Sequence, residues 1–190
     1  MKKIIVGIDE AGRGPLAGRV YAAAVILNTD INISNLNDSK KINCIQREII
    51  YNDIIKNSIA YSVCYSTIKE IEKYNILNAT FIAMNRALYR ISYKFDIILV
   101  DGKHFPFDNK QNGKAIIKGD TIIPEIMAAS ILAKVERDRY MIDMDKKYPQ
   151  YLFAQHKGYP TKLHRDLIKE YGPSPIHRKT FKGVREFYEE

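Results

Sequence analysis

Cysteine is scarce in this chain, and long apolar runs are missing altogether. The two cysteines, Cys44 and Cys64, have no CxxC pair and no helical histidine pair beside them. Neither a zinc finger nor a disulfide framework is therefore expected, and free thiols point to a reducing, cytoplasmic compartment. The first apolar stretch runs only from Ile4 to Ile8 before Asp9 interrupts it. That is too short for a secretory signal, and no stretch approaches the ~18 apolar residues of a membrane span. The glycines at 12, 14 and 18 miss the dinucleotide fingerprint, because the last spacing is one residue too long and Pro15 sits inside the turn; a GK[ST] phosphate loop is also absent. His156, His164 and His177 match no zinc spacing, so groove-lining or structural roles are expected for them. With no internal repeat, low-complexity tract or linker, residues 1–190 read as one domain. About 156–190 forms a basic C-terminal extension.

What the chain does have is positive charge. There are 30 Lys and Arg against 22 Asp and Glu, a formal +8, so the natural partner is a polyanion. Much of the excess is local: residues 156–185 hold eight Lys or Arg against two acids, Asp166 and Glu170. At 46% hydrophobic content, a chain of this size buries about 70% of its unfolded surface in one core.

The pattern predicts strands over 3–9 and 19–27, the second apolar on both faces as in a sheet covered on both sides. Residues 37–41 carry turn and cap types, and Ile42, Ile45, Ile49 and Ile50 then recur at helical spacing to about 57. A strand over 58–67, helices over 68–74 and 77–92, and a short strand ending at Asp101 follow. Residues 115–120 repeat that last plan, with Asp120 at the end. Pro124 opens a long helix, with Met127, Ile131, Val135 and Ile142 on one face, and Pro149 closes it.

Three strand-like segments thus end in acids: Asp9 with Glu10, Asp101, and Asp120. Sites in open α/β sheets gather at the carboxyl ends of strands, so the four are expected to converge. Asp9 and Glu10 alternate in a regular strand, and the Ala11-Gly12 turn is expected to re-aim one of them. Carboxylates roughly 4 Å apart repel by about 4 kcal/mol at an effective dielectric of about 20. Divalent cations would relieve this, and oxygen-only ligands suit Mg²⁺ or Mn²⁺. Bound ions would also reconcile an acidic cluster with a phosphate-seeking surface, and two of them could serve phosphodiester hydrolysis. Asp138, between Arg137 and Arg139, is a rival for the fourth place, but an ion pair is the simpler role there. The turn at 12–14 offers main-chain N–H groups and the fork of Arg13. It could read a sugar hydroxyl, hold a phosphate or simply join strands.

The motifs GIDEAGRGPLAG (7–18), NDSKK (37–41), VDG (100–102), KGD (118–120), AASILAKVERDRYM (128–141), HKGYPT (156–161) and GPSPIHRKTF (172–181) resemble, in order, the series of the type II ribonucleases H. Type III enzymes share parts of the series but carry an extra N-terminal domain; only eight residues precede Asp9 here, which favours type II. The resemblance implies a ribonuclease H-like fold, a mixed five-stranded sheet flanked by helices with a C-terminal helical extension. It implies that Asp9, Glu10, Asp101 and Asp120 bind two metals and are catalytic. It further implies that Gly12, Arg13 and Gly14 read the ribose 2′-hydroxyl, that Tyr159 stacks on the sugar at an RNA–DNA junction, and that Lys40 or Lys41 touches the substrate backbone. Arg19 replaces the usual proline and Thr180 the usual serine; Arg19 is expected either to alter strand entry or to add a phosphate contact. The implied activity is metal-dependent endoribonucleolytic cleavage of RNA in RNA–DNA hybrids and of single ribonucleotides in duplex DNA, by a monomer. Two other readings stay open: a non-catalytic nucleic-acid-binding module, and another two-metal nuclease on the same fold.

Overall fold

The computed structural model describes residues 3–28, 43–108 and 110–189. Lys40, Lys41 and the rest of the 37–41 motif lie outside them. The centre of the molecule is β2 (Val20–Leu27), in which all eight residues are buried. Alternation explains how one short strand can be apolar throughout. Ala23, Val25 and Leu27 join a core with α1 (Cys44–Asn57) and α3 (Pro124–Lys147). Ala22, Ala24 and Ile26 join the opposite core under α2 (Ile68–Tyr89). Each fully buried Val, Leu or Ile contributes about 1.5–3 kcal/mol, so this strand ties both layers together.

The sheet is mixed, in the order β3-β2-β1-β4-β5. β1 (Ile5–Ala11) and β3 (Ser58–Ser66) run antiparallel to β2. β4 (Ile97–Asp101) is parallel to β1, and β5 (Gly113–Ile116) is parallel to β4. Helix α3 lies hard against β1. A Cβ added at Gly7 would sit 2.2 Å from the Glu125 carbonyl carbon, so only glycine permits this approach. Two short helices, α4 (Phe153–His156) and α5 (Lys162–Tyr171), complete the fold.

Several details depart from the sequence pattern. α1 starts after Asn43, whose side chain forms a capping box with Gln46. Its buried face is Ile50, Tyr51 and Ile54, whereas Ile45 and Ile49 are 71% and 57% exposed; an isoleucine repeat does not show which stripe meets a core. The helices expected over 68–74 and 77–92 do form within α2, meeting at Asn75, where φ is 64° and the side chain caps Asn78 N–H at 3.1 Å. On α3, Met127, Ile131 and Val135 are buried as expected, but Ile142 is exposed. Met141 and Met144 take over, packing against Ala17, Tyr151, Phe153 and Ile176. The stripe rotates because the later turns of α3 leave the sheet for the C-terminal segment.

Candidate active site

β1 and β4, side by side and parallel, point their carboxyl ends the same way. Asp9 shares the face of Gly7 toward α3, is only 5% exposed, and has Ser130 of that helix near enough to favour its ionised form. Its Oδ1 also accepts from Glu10 N–H at 2.6 Å. β1 keeps its pairing with β2 through Ala11, so the turn does not re-aim either acid within the strand; the turn proper begins at Gly12, with φ +101°. Glu10 instead reaches Arg13, with Oε1 3.2 Å from the guanidinium.

Asp120 meets Asp101 by another route than expected. β5 stops at Ile116, Lys118 adopts a left-handed conformation, and Asp120 lies in a 3₁₀ turn over Gly119–Thr121. That turn aims the Asp120 N–H at Asp101 Oδ1, 3.3 Å away. Burial, then the charges of Glu10 and Asp101, hold the Asp9 acid well above the usual carboxylate range. Burial also raises Glu10, against the pull of Arg13. As placed, no three carboxylate, imidazole or thiolate groups among the described residues are gathered tightly enough to hold an ion. Like charges spread apart, and here each takes a nearby donor: Asp9 the Glu10 amide, Glu10 the Arg13 fork, Asp101 the Asp120 amide. The donors remain oxygen-only, the chemistry that suits a hard divalent cation.

The turn at 12–14 sits beside these acids. Gly14 has open space up to the Tyr159 ring, which a Cβ would approach at 4.0 Å. Tyr159 is 39% exposed and lies on a loop bent by left-handed Lys157 and Gly158. Lys134 Nζ and the Arg137 guanidinium stand 5.6 and 5.4 Å from its ring centre. Gly12 must be glycine: besides its positive φ, a Cβ there would meet Arg137 Nε at 2.2 Å. Asp138 pairs with Lys134 at 2.6 Å, the structural role expected of it. Arg19 is held over the rings of Tyr65 and Tyr140 at 4.0 and 4.7 Å, at the entry to β2.

Sequence reasoning missed the residues beneath the turn. Arg137 and Arg178 are fully buried. Arg178 donates to the carbonyls of Gly12, Arg13, Pro15, Gly18 and Arg19. Arg137 donates to those of Ala17 and Lys157, while its Nε and one terminal nitrogen are buried without a hydrogen-bond partner among the described residues. A buried arginine inside a basic stretch carries no pattern that separates it from its solvated neighbours. Ser130, inside an alanine-rich helix, carries none either.

The family model for ribonuclease HII matches residues 6–184. A curated ribonuclease HII of Coxiella burnetii (strain Dugway 5J108-111) is 49% identical over 183 residues, which cover 96% of this chain and 90% of that protein. The crystal structure of the ribonuclease H2 from Pyrococcus horikoshii OT3 superposes with a TM-score of 0.80 at 28% identity, covering 96% of each chain. The structure of Bst-RNase HIII in complex with Mn²⁺ shares the fold, with a TM-score of 0.74 at 14% identity over 98% of this chain and 69% of that one. The matched span runs from the strand that carries Asp9 to the segment that carries Arg178, and on that evidence the chain belongs to the ribonuclease HII family.

Proposed function

We propose that this protein hydrolyses the RNA strand of RNA–DNA hybrids and nicks duplex DNA on the 5′ side of an embedded ribonucleotide. Membership of the ribonuclease HII family supports the endoribonuclease activity. The observation that carries the finer reading is the Arg13–Glu10 contact at 3.2 Å, which joins a turn suited to reading ribose directly to a group of acids suited to phosphodiester hydrolysis.

Asp9, Glu10, Asp101 and Asp120 would hold the divalent metal, Mg²⁺ or Mn²⁺; a protein of the same fold binds Mn²⁺. When bound, such ions supply an activated water and stabilise charge on the leaving oxygen. The chain's own residues do the rest. The open main chain of Gly12, Arg13 and Gly14 reads the 2′-hydroxyl, and the half-exposed Tyr159 ring stacks on the sugar beside it. The basic residues of 156–185 follow the phosphate backbone. Water adds to phosphorus, leaving a 5′-phosphate on the ribonucleotide and a 3′-hydroxyl on its neighbour. The 2′-hydroxyl is recognised and does not attack. Attack by that hydroxyl calls for an accessible histidine pair, and the neighbouring histidines His156, His164 and His177 are all buried with their ring nitrogens hydrogen-bonded.

The test is strand cleavage of a duplex holding one ribonucleotide, with Mg²⁺ and with chelator, beside an all-DNA duplex. A single metal-dependent nick 5′ of the ribonucleotide is expected, with the all-DNA duplex intact. Tight binding without a nick would favour the binding-module reading, and cleavage of the all-DNA duplex would favour a DNA nuclease.

A further inference from the structure

The turn at 12–14 and Tyr159 face each other from loops far apart in the chain, and neither loop belongs to a helix or strand. Misplacement of such a pair by about 1 Å can cost on the order of 10²-fold in rate. The structure ties both loops to one short segment, 174–178.

Arg178 grips the turn. Its Nε donates to the Gly18 carbonyl at 2.9 Å. One terminal nitrogen donates to Arg13 and Pro15 at 3.0 and 2.8 Å, the other to Gly12 and Arg19 at 2.6 and 3.3 Å. Its own N–H donates to the Leu16 carbonyl at 2.8 Å, and Gly18 N–H returns a bond to Ile176 at 2.9 Å. Only a guanidinium fork offers five N–H donors in fixed directions.

His177, the preceding residue, grips the Tyr159 loop through a second histidine. The Ser174 N–H donates to His177 Nδ1 at 2.8 Å, which leaves the proton on His177 Nε2. That proton is donated to His164 Nε2 at 3.0 Å. His164 therefore carries its proton on Nδ1, which donates to the Tyr159 carbonyl at 2.9 Å. The backbone amide at one end and the carbonyl at the other leave one consistent assignment of tautomers. His156 stacks on His164 with ring centres 4.2 Å apart and accepts the Gly158 N–H at 3.1 Å, so the peptide group before Gly158 and the one after Tyr159 are both fixed by histidines. The two loops also meet directly, through Leu16 N–H on the Gly158 carbonyl at 2.8 Å.

We propose that His177 and Arg178 together are positioning residues that determine ribose specificity, holding the 12–14 turn and Tyr159 at a fixed separation before substrate arrives. This rests on the reading that those two elements contact the ribose. A clamp set in advance lets the 2′-hydroxyl be read without ordering two loops at the moment of binding.

The experiment begins with the parent enzyme nicking a duplex that holds one ribonucleotide; failure at that step would overturn the functional reading and not the clamp. Arg178→Lys keeps the charge but not the fork. With its melting curve still cooperative, it is expected to lose 30-fold or more in kcat/KM on this duplex, while its affinity for an all-DNA duplex stays within twofold. A merely structural role would move both together. His177→Phe is expected to lose about tenfold, with recovery to within threefold in His177→Gln, whose amide can again donate to His164. Folded Arg178→Lys and His177→Phe enzymes with parental kcat/KM would overturn the proposal. Amide hydrogen exchange on the unaltered, substrate-free protein decides the matter without any variant. Leu16, Gly18 and Arg178 amides as protected as those of β2 are expected, and exchange within minutes would rule out a clamp formed in advance.

Discussion

Asp9 and Arg178 are both ionisable and almost wholly buried, but their surroundings are opposite in kind. Asp9 lies beside two further carboxylates that raise its acid. Arg178 is surrounded by five carbonyl oxygens; burial and the neighbouring Arg137 pull it down to about 9, still charged at neutral pH. The acids stand at the end of a rigid sheet, where each takes a nearby donor but Asp9 and Glu10 still feel the charge of Asp101. The loops at 12–19 and 157–159 have little regular structure, but buried arginine and histidine side chains hold their backbone carbonyls and the Gly158 N–H by hydrogen bonds. A site that must receive cations can keep such repulsion, because binding relieves it. A site that must recognise a hydroxyl gains from being rigid in advance.

The contrast is tested most severely by Asp101→Asn, which should lower cleavage on the order of 10⁴-fold, as when one member of an interdependent catalytic set is removed. Binding to a hybrid should stay within a few-fold, and without metal the melting temperature should rise, since one repelling charge is gone while the Asp120 N–H keeps an acceptor. An active Asp101→Asn enzyme would remove Asp101 from the catalytic set.

Arg178→Met should move stability the other way. It leaves buried carbonyls without donors, at a cost of about 3–5 kcal/mol, read as a lower denaturant midpoint. A neutral result would mean that the turn holds its shape without the guanidinium.

Tyr159→Ala should lower kcat/KM on junction substrates by roughly 10–100-fold, as loss of one stacking contact does, and affect long hybrids less. An equal loss on both would make the residue a support of the loop.

The smallest effect concerns pH. Burial lowers His164 from 6.5 to about 3 and His177 to about 4, and lowers His156 as well. Between those values and about 6.5 the unfolded chain binds protons that the folded one refuses, so stability falls as pH falls through that window. The raised acids of Asp9 and Glu10 act in the opposite sense, favouring the folded state as they take up protons. The melting temperature should therefore be followed from pH 7 to 5 in an Asp9→Asn, Glu10→Gln background, where a fall of several degrees is expected. A flat profile there would mean that the three histidines charge within the fold.

Much of the sheet was legible because period-two and period-3.6 patterns are local. The doubly apolar β2, the strand ending at Asp101 and the proline at the start of α3 each state their structure within a few residues. The acids proposed to be catalytic could be listed for the same reason, and Gly12 and Tyr159 through the motif series. What the sequence left open was set by partners far along the chain. The buried stripe of α1 depends on where α3 lies, Asp120 meets Asp101 through a 3₁₀ turn that no strand pattern announces, and Arg19 lies over two tyrosines from other elements. Arg178 stands beside Lys179 in a basic run, and the letters alone do not tell them apart. The fold buries the first among carbonyls more than 150 residues earlier in the chain and leaves the second exposed. The sequence by itself thus determined the strands, the acids and the family. Only the tertiary structure decided which cations are buried and how the loops at 12–19 and 157–159 are held, because hydrogen-bond donors find their acceptors by distance in space rather than by spacing along the chain.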